Sequence, residues 1–88
     1  MGNAVKIGDK DTGHDNHSPT SVNSGSPSVN VDNKPLARKG DTLLSHGHNR
    51  MINGGASSVF IDGRPAARTN DAISCGGVLI GGGSVNIG

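Results

Sequence analysis

Five side chains in this 88-residue sequence are of types that bind borderline-soft metal ions: His14, His17, His46, His48 and Cys75. They fall in three places. His14 and His17 form a His-x-x-His pair, His46 and His48 form a His-x-His pair, and Cys75 is the only cysteine. A structural zinc site takes four nitrogen or sulfur donors in a tetrahedron, and thiolate with imidazole is a common set. Either histidine spacing can chelate, but each pair alone is a weak signal, because single histidines in polar loops are usually solvated surface residues. Zinc suits these ligand types best, although nickel or cobalt could occupy a site of three nitrogens and one sulfur in vitro.

The elements that must position these donors are repeated. Residues 25–48 read GSPSVNVDNKPLARKGDTLLSHGH and residues 55–76 read GASSVFIDGRPAARTNDAISCG. At an offset of 30, Gly25 falls on Gly55, Val29 on Val59, Val31 on Ile61 and Asp32 on Asp62. The same offset matches Pro35 with Pro65, Arg38 with Arg68 and Asp41 with Asp71. Repetition at such a period signals stacked or radially arranged units. The pattern runs into both ends of the chain. Gly8-Asp9 resembles Gly40-Asp41 and Asn70-Asp71, and Ser84-Val85-Asn86-Ile87 resembles Ser28-Val29-Asn30-Val31. The chain therefore reads as one domain, 1–88, of roughly three turns, the third shared between 1–24 and 77–88. His14 lies six residues after Gly8, His46 six after Gly40, and Cys75 five after Asn70. Each turn thus offers one donor at a matching place, and a fourth would come from His17 or His48.

Composition bounds the fold. The 15 glycines and 4 prolines outnumber the 18 Leu, Ile, Val and Phe residues, and Phe60 is the only aromatic. So thin an apolar stock approaches a disordered composition, but the net charge of +1 does not. Matched Val, Pro and Asp positions also have no use in a solvated linker. A small domain of this kind needs a staple, and one cysteine cannot form an internal disulfide. A metal held by three separated segments is the remaining staple. No apolar run is long enough to span a bilayer, and no charged-then-apolar leader is present. Scattered Lys and Arg give no basic patch for nucleic acid.

No window sustains a helical period, and glycine or proline interrupts most of them. Alternation appears instead: Val29, Val31, Val59 and Ile61 face one way, while Asn30 and Phe60 face the other. Asp32-Asn33 and Asp62-Gly63 then supply turn chemistry. Pro35 and Pro65 follow two residues later, so the returning strands must be edges or very short. The expectation is an all-β fold of short hairpins around an axis, with the Val/Ile rows, including Val85 and Ile87, filling its interior. Segments 10–24 and 45–55 look irregular, and are expected to be ordered only by a metal.

A catalytic zinc would need an open coordination position and a nearby base. The chain has no glutamate, and its seven acids are all Asp. Asp15 lies beside the histidines, but Asp9, Asp41 and Asp71 recur with the unit and suit turn capping. No nucleophile or phosphate-loop motif is present, so an enzyme is not expected.

The tetrapeptide Pro65-Ala66-Ala67-Arg68, with Pro35-Leu36-Ala37-Arg38 as a degenerate copy, resembles the motif that names the PAAR-repeat family. The flanking Ser58-Val59-Phe60-Ile61-Asp62-Gly63, Asn70-Asp71-Ala72-Ile73-Ser74-Cys75 and Gly8-Asp9-Lys10-Asp11-Thr12-Gly13-His14 also look like that family. The resemblance implies a small conical β domain with one structural zinc near its apex. It implies a tip that caps and sharpens the trimeric valine-glycine-repeat spike of a bacterial type VI secretion system, aiding membrane penetration and effector attachment. Such a tip is made in the cytoplasm and delivered outside the cell or into a target cell, touching the target membrane transiently. The alternatives are the tip of a contractile phage-tail spike, or a stand-alone zinc-binding β domain with another partner. With no effector extension expected, any effector cargo would be separate. By position the family's ligands carry over to His14, His46 and Cys75. Relatives often have a more widely spaced Cys and His where this chain has His46-Gly47-His48. The fourth ligand is then His48, with His17 as the alternative.

Overall fold

The computed structural model describes residues 2–13, 19–45, 50–74 and 76–87. Among the described residues there is no helix, and the regular structure consists of short antiparallel ladders. Strand β1 (Gly2–Asn3) pairs with β8 (Asn86–Ile87), and β2 (Asn30–Val31) pairs with β3 (Lys34–Pro35). Strand β4 (Thr42–Leu43) pairs with β5 (Arg50–Met51), and β6 (Phe60–Ile61) pairs with β7 (Arg64–Pro65).

The expected turns are present and explain two of these hairpins. Asp32 and Asn33 have φ of 52° and 67°, and Asp62 and Gly63 have 53° and 82°. Two consecutive left-handed residues make the two-residue loop whose twist matches that of the flanking strands. Asn, Asp and Gly are the residues that enter this region at low cost. Pro35 and Pro65 lie opposite Asn30 and Phe60, and one backbone bond follows beyond each pair, from the Leu36 N–H to the Val29 carbonyl (3.0 Å) and from the Ala66 N–H to the Val59 carbonyl (2.9 Å). The prolines are tolerated because each ladder is this short.

Behind the hairpins the chain closes into a ring. Val5 N–H donates to the Ala67 carbonyl (3.3 Å), Ala67 N–H to Ala37 (3.0 Å) and Ala37 N–H to Val5 (2.7 Å). All three residues are fully buried. Around them, isolated bridges follow the same cycle: Lys6 with Leu36, Arg38 with Ala66 and Arg68 with Ala4. Three backbones meeting so closely leave little side-chain volume, which suits the alanines at 37 and 67 beside the single larger Val5. The Arg of the motif is explained as well. Arg68 bonds the Asp71 carboxylate through its own N–H (2.7 Å) and its guanidinium, and also reaches the Gly55 carbonyl (3.1 Å). Arg38 does the same with Asp41 and the Gly25 carbonyl. Lys6 and Asp9 make the corresponding contacts with one ammonium in place of the guanidinium fork. These aspartates close their own turns, as their recurrence suggested.

Two apolar clusters lie either side of the ring. One gathers Val5, Val22, Leu43, Ile52, Ile73 and Leu79 with the small Ala37 and Ala67. The other holds Ala4, Val31, Leu36, Ala56, Ala66 and Ile87, with Val29, Val59 and Ile61 packed against it half-buried. The Val/Ile rows therefore face the interior, with one exception: Val85 is 51% exposed. Val29 and Val59 come after the bends at 27–28 and 57–58, whereas Val85 is itself in the bend at 84–85, where strand alternation does not apply. Phe60 is exposed, as alternation predicted. The chain also closes tightly at Gly55, where an added Cβ would lie 2.6 Å from the Pro65 Cβ.

Candidate metal centre

On the side of the first cluster, three hairpin-like arms stand next to one another. The first is joined at Lys10 with Ser21, the second is β4–β5, and the third is joined at Ala72 with Val78. Bridges between arms again run in a cycle: Val22 with Leu43, Ile52 with Ile73, and Leu79 with Asp11. The apolar partners are inward-facing residues of each arm, so burial of Val22, Leu43, Ile52, Ile73 and Leu79 holds the arms together.

The candidate donors His14, His17, His46, His48 and Cys75 all lie outside the described residues, as does Asp15. Residues 14–18 interrupt the first arm, 46–49 the second and Cys75 the third. The described residues bordering these three segments are bonded to one another. Thr12 N–H donates to the Val78 carbonyl (3.0 Å), and Val78 N–H returns to the Thr12 hydroxyl (3.1 Å). Ser74, the residue before Cys75, donates its N–H to the Met51 carbonyl (2.8 Å) and accepts from the Met51 N–H at its hydroxyl (3.2 Å). Gly77 has a φ of +80°, and a Cβ there would lie 2.8 Å from the Gly13 carbonyl. Among the described residues, no three His, Cys, Asp or Glu side chains form a metal-binding group.

The structure adds two residues that the sequence reading passed over. Asp11 and Arg50 form an ion pair, and neither side chain has any solvent exposure. Arg50 also donates to the Thr20 hydroxyl (2.6 Å), while the Thr20 N–H donates to the Asp11 carboxylate (2.9 Å). Burial pushes the Asp11 carboxyl up, but the hydrogen bonds from Arg50, Thr20 and Gly13 outweigh it and hold the group below the usual carboxylate range. The described parts of segments 10–24 and 45–55 are thus organised by an ion pair and backbone bonds, and not only by whatever the donors bind. The pair occurs once and its partners are 39 residues apart, so no repeat betrays it. Strand alternation in β5 was the available signal, since it places Arg50 on the same face as the buried Ile52.

A cleft of about 530 Å³ opens beside the second arm, lined by Asn23, Thr42, Leu44, Ser45, Met51 and Ser74 among others.

Among the described residues, the chain is an all-β module of short antiparallel hairpins braced by recurring Arg–Asp and Lys–Asp brackets. The PAAR motif family matches residues 12–81, and the chain belongs to that family. No curated protein matches the chain. PAAR proteins are structural spike tips of the type VI secretion system and not enzymes; they associate with the valine-glycine-repeat spike and leave the cell with it. The family binds zinc.

Proposed function

We propose that this chain is a single zinc-stapled domain, three pseudo-repeats around an axis, which caps one trimeric valine-glycine-repeat spike and gives it a rigid point. The observation that carries the reading is the pair of closed cycles: Val5–Ala67–Ala37 in the ring, and Val22–Leu43, Ile52–Ile73, Leu79–Asp11 between the arms. A single chain with three similar sides can meet three identical subunits, each side facing one. The extents of 32 × 22 × 21 Å suit an elongated tip.

One zinc is held by His14, His46, Cys75 and His48, with His17 as the other source of the fourth donor. The donor set fits the ion: imidazole and thiolate from three segments whose bordering residues are mutually hydrogen-bonded. When bound, zinc would cross-link the three arms where there is too little volume for an apolar core. The face with the exposed ends of the short hairpins, including Phe60, meets the spike, in part by pairing of backbone edges.

The test is co-purification of the tagged full chain with its cognate spike trimer. A complex of one chain per trimer is expected. A chain that elutes alone over a wide range of spike concentrations contradicts the reading.

A further inference from the structure

We infer that Arg50, through Asp11 and Thr20, is a positioning residue that assembles the donor-bearing segments before metal arrives; this rests on the zinc reading above. Asp11 and Thr20 stand on either side of 14–18, and Arg50 immediately follows 46–49. One guanidinium therefore fastens both sides of the first arm to the loop end of the second: it donates to the Asp11 carboxylate and, at 2.6 Å, to the Thr20 hydroxyl. The neighbouring Met51 is bonded twice to Ser74, which borders Cys75 in the third arm. A short chain of bonds thus links all three arms at the points where the donors emerge.

The chemistry favours arginine at this place. Its planar fork serves two acceptors at fixed angles, which a lysine ammonium cannot do. The pair is costly to bury, and replacing such pairs by apolar residues is often neutral for stability. A fully buried ion pair at the borders of segments 14–18 and 46–49 is therefore better explained by the geometry it fixes. Preorganised supporting contacts of this type typically change metal affinity by about 10–100-fold when removed.

The experiment uses the full chain with zinc as the probe. Zinc affinity is read by competition against a chromogenic chelator for wild type, for the charge-neutral double variant Asp11→Asn/Arg50→Met, and for the matched control Arg38→Met/Asp41→Asn. That control removes a buried Arg–Asp pair from the ring, away from the arms' ends. Zinc affinity is expected to fall about 10–100-fold in the first variant and to stay within about twofold of wild type in the control. Equal losses in both, or no loss in the first, overturn the inference. A wild type that binds no zinc overturns the metal reading itself and takes this inference with it. Amide exchange on metal-free wild type decides the matter even if the double variant does not fold. The Thr20 and Ser74 amides are expected to remain protected without metal, and exchange at unfolded-chain rates would overturn the inference.

Discussion

Arg50 and Asp11 face each other with no exposed side-chain surface, 39 residues apart in sequence. Removing one partner leaves the other charged, buried and unpaired. Arg50→Met alone is expected to destabilise the metal-free protein by about 3–5 kcal/mol, measured by denaturant titration. A loss below about 1 kcal/mol, the range of exposed pairs, would contradict the burial described.

The two motif arginines are not equivalent. Arg38 bonds Asp41 and the Gly25 carbonyl and also reaches Asp62 (3.3 Å), and its side chain is 10% exposed. Arg68 is bonded to Asp71 and the Gly55 carbonyl, and its side chain is 26% exposed. Arg38→Met should therefore cost more than Arg68→Met, because the Arg38–Asp41 bracket is the more buried of the two. Thermal melting of the two variants under one buffer checks the order, and the reverse order would be incompatible with these contacts.

Gly77→Ala should damage the arms' ends selectively. At φ +80° an L-residue is strained, and the new methyl meets the Gly13 carbonyl at 2.8 Å. A cost of about 1–2 kcal/mol is expected from the backbone alone, with weaker zinc binding. Gly63→Ala is the comparison: its φ of +82° is similar, but no atom lies within 4 Å of the added carbon. If both variants behave alike in zinc binding, the close approach between Gly77 and Gly13 is not what holds the third arm to the first.

Acid should destabilise the metal-free protein in a defined window. For Asp11, burial raises the carboxyl pKa and the bonds from Arg50, Thr20 and Gly13 more than reverse this. For Asp62, the hydroxyls of Ser26 and Ser28 lower it, as does Arg38. Asp32 is lowered by the hydroxyl and N–H of Ser84. A carboxyl whose folded pKa is depressed contributes fully above its unfolded value of about 3.9 and loses that contribution as pH falls through the folded value. Melting temperature should be flat from pH 7 to about 5 and fall below about 4. A decline that begins above pH 5 in the metal-free protein would point to other groups.

Much of the fold could be read from residue types because its local geometry is dictated locally. Asp32-Asn33 and Asp62-Gly63 demanded left-handed turns, and Pro35 and Pro65 demanded short strands, so the hairpins followed. The Arg and Asp pairs at a spacing of three were visible as a recurring pattern. Lys6–Asp9 was visible only as Gly8-Asp9, because lysine and the surrounding residues depart from the motif. Asp11–Arg50 escaped because it joins segments that look irregular and occurs once. Val85 was assigned to the interior by analogy with Val29 and Val59, but one residue's shift into a bend turned it outward. The candidate ligands were found from residue type and repeat position, while the order of their surroundings comes from long-range bonds that no local pattern encodes.

Elemental analysis of the purified full chain, with X-ray absorption at the zinc edge, would show whether one zinc staples the three arms. One zinc per chain coordinated by three nitrogens and one sulfur is the predicted result, with the sulfur lost in Cys75→Ala together with a large drop in melting temperature. No stoichiometric zinc, a first shell completed by water, or a Cys75→Ala variant with an unchanged melting curve would contradict it.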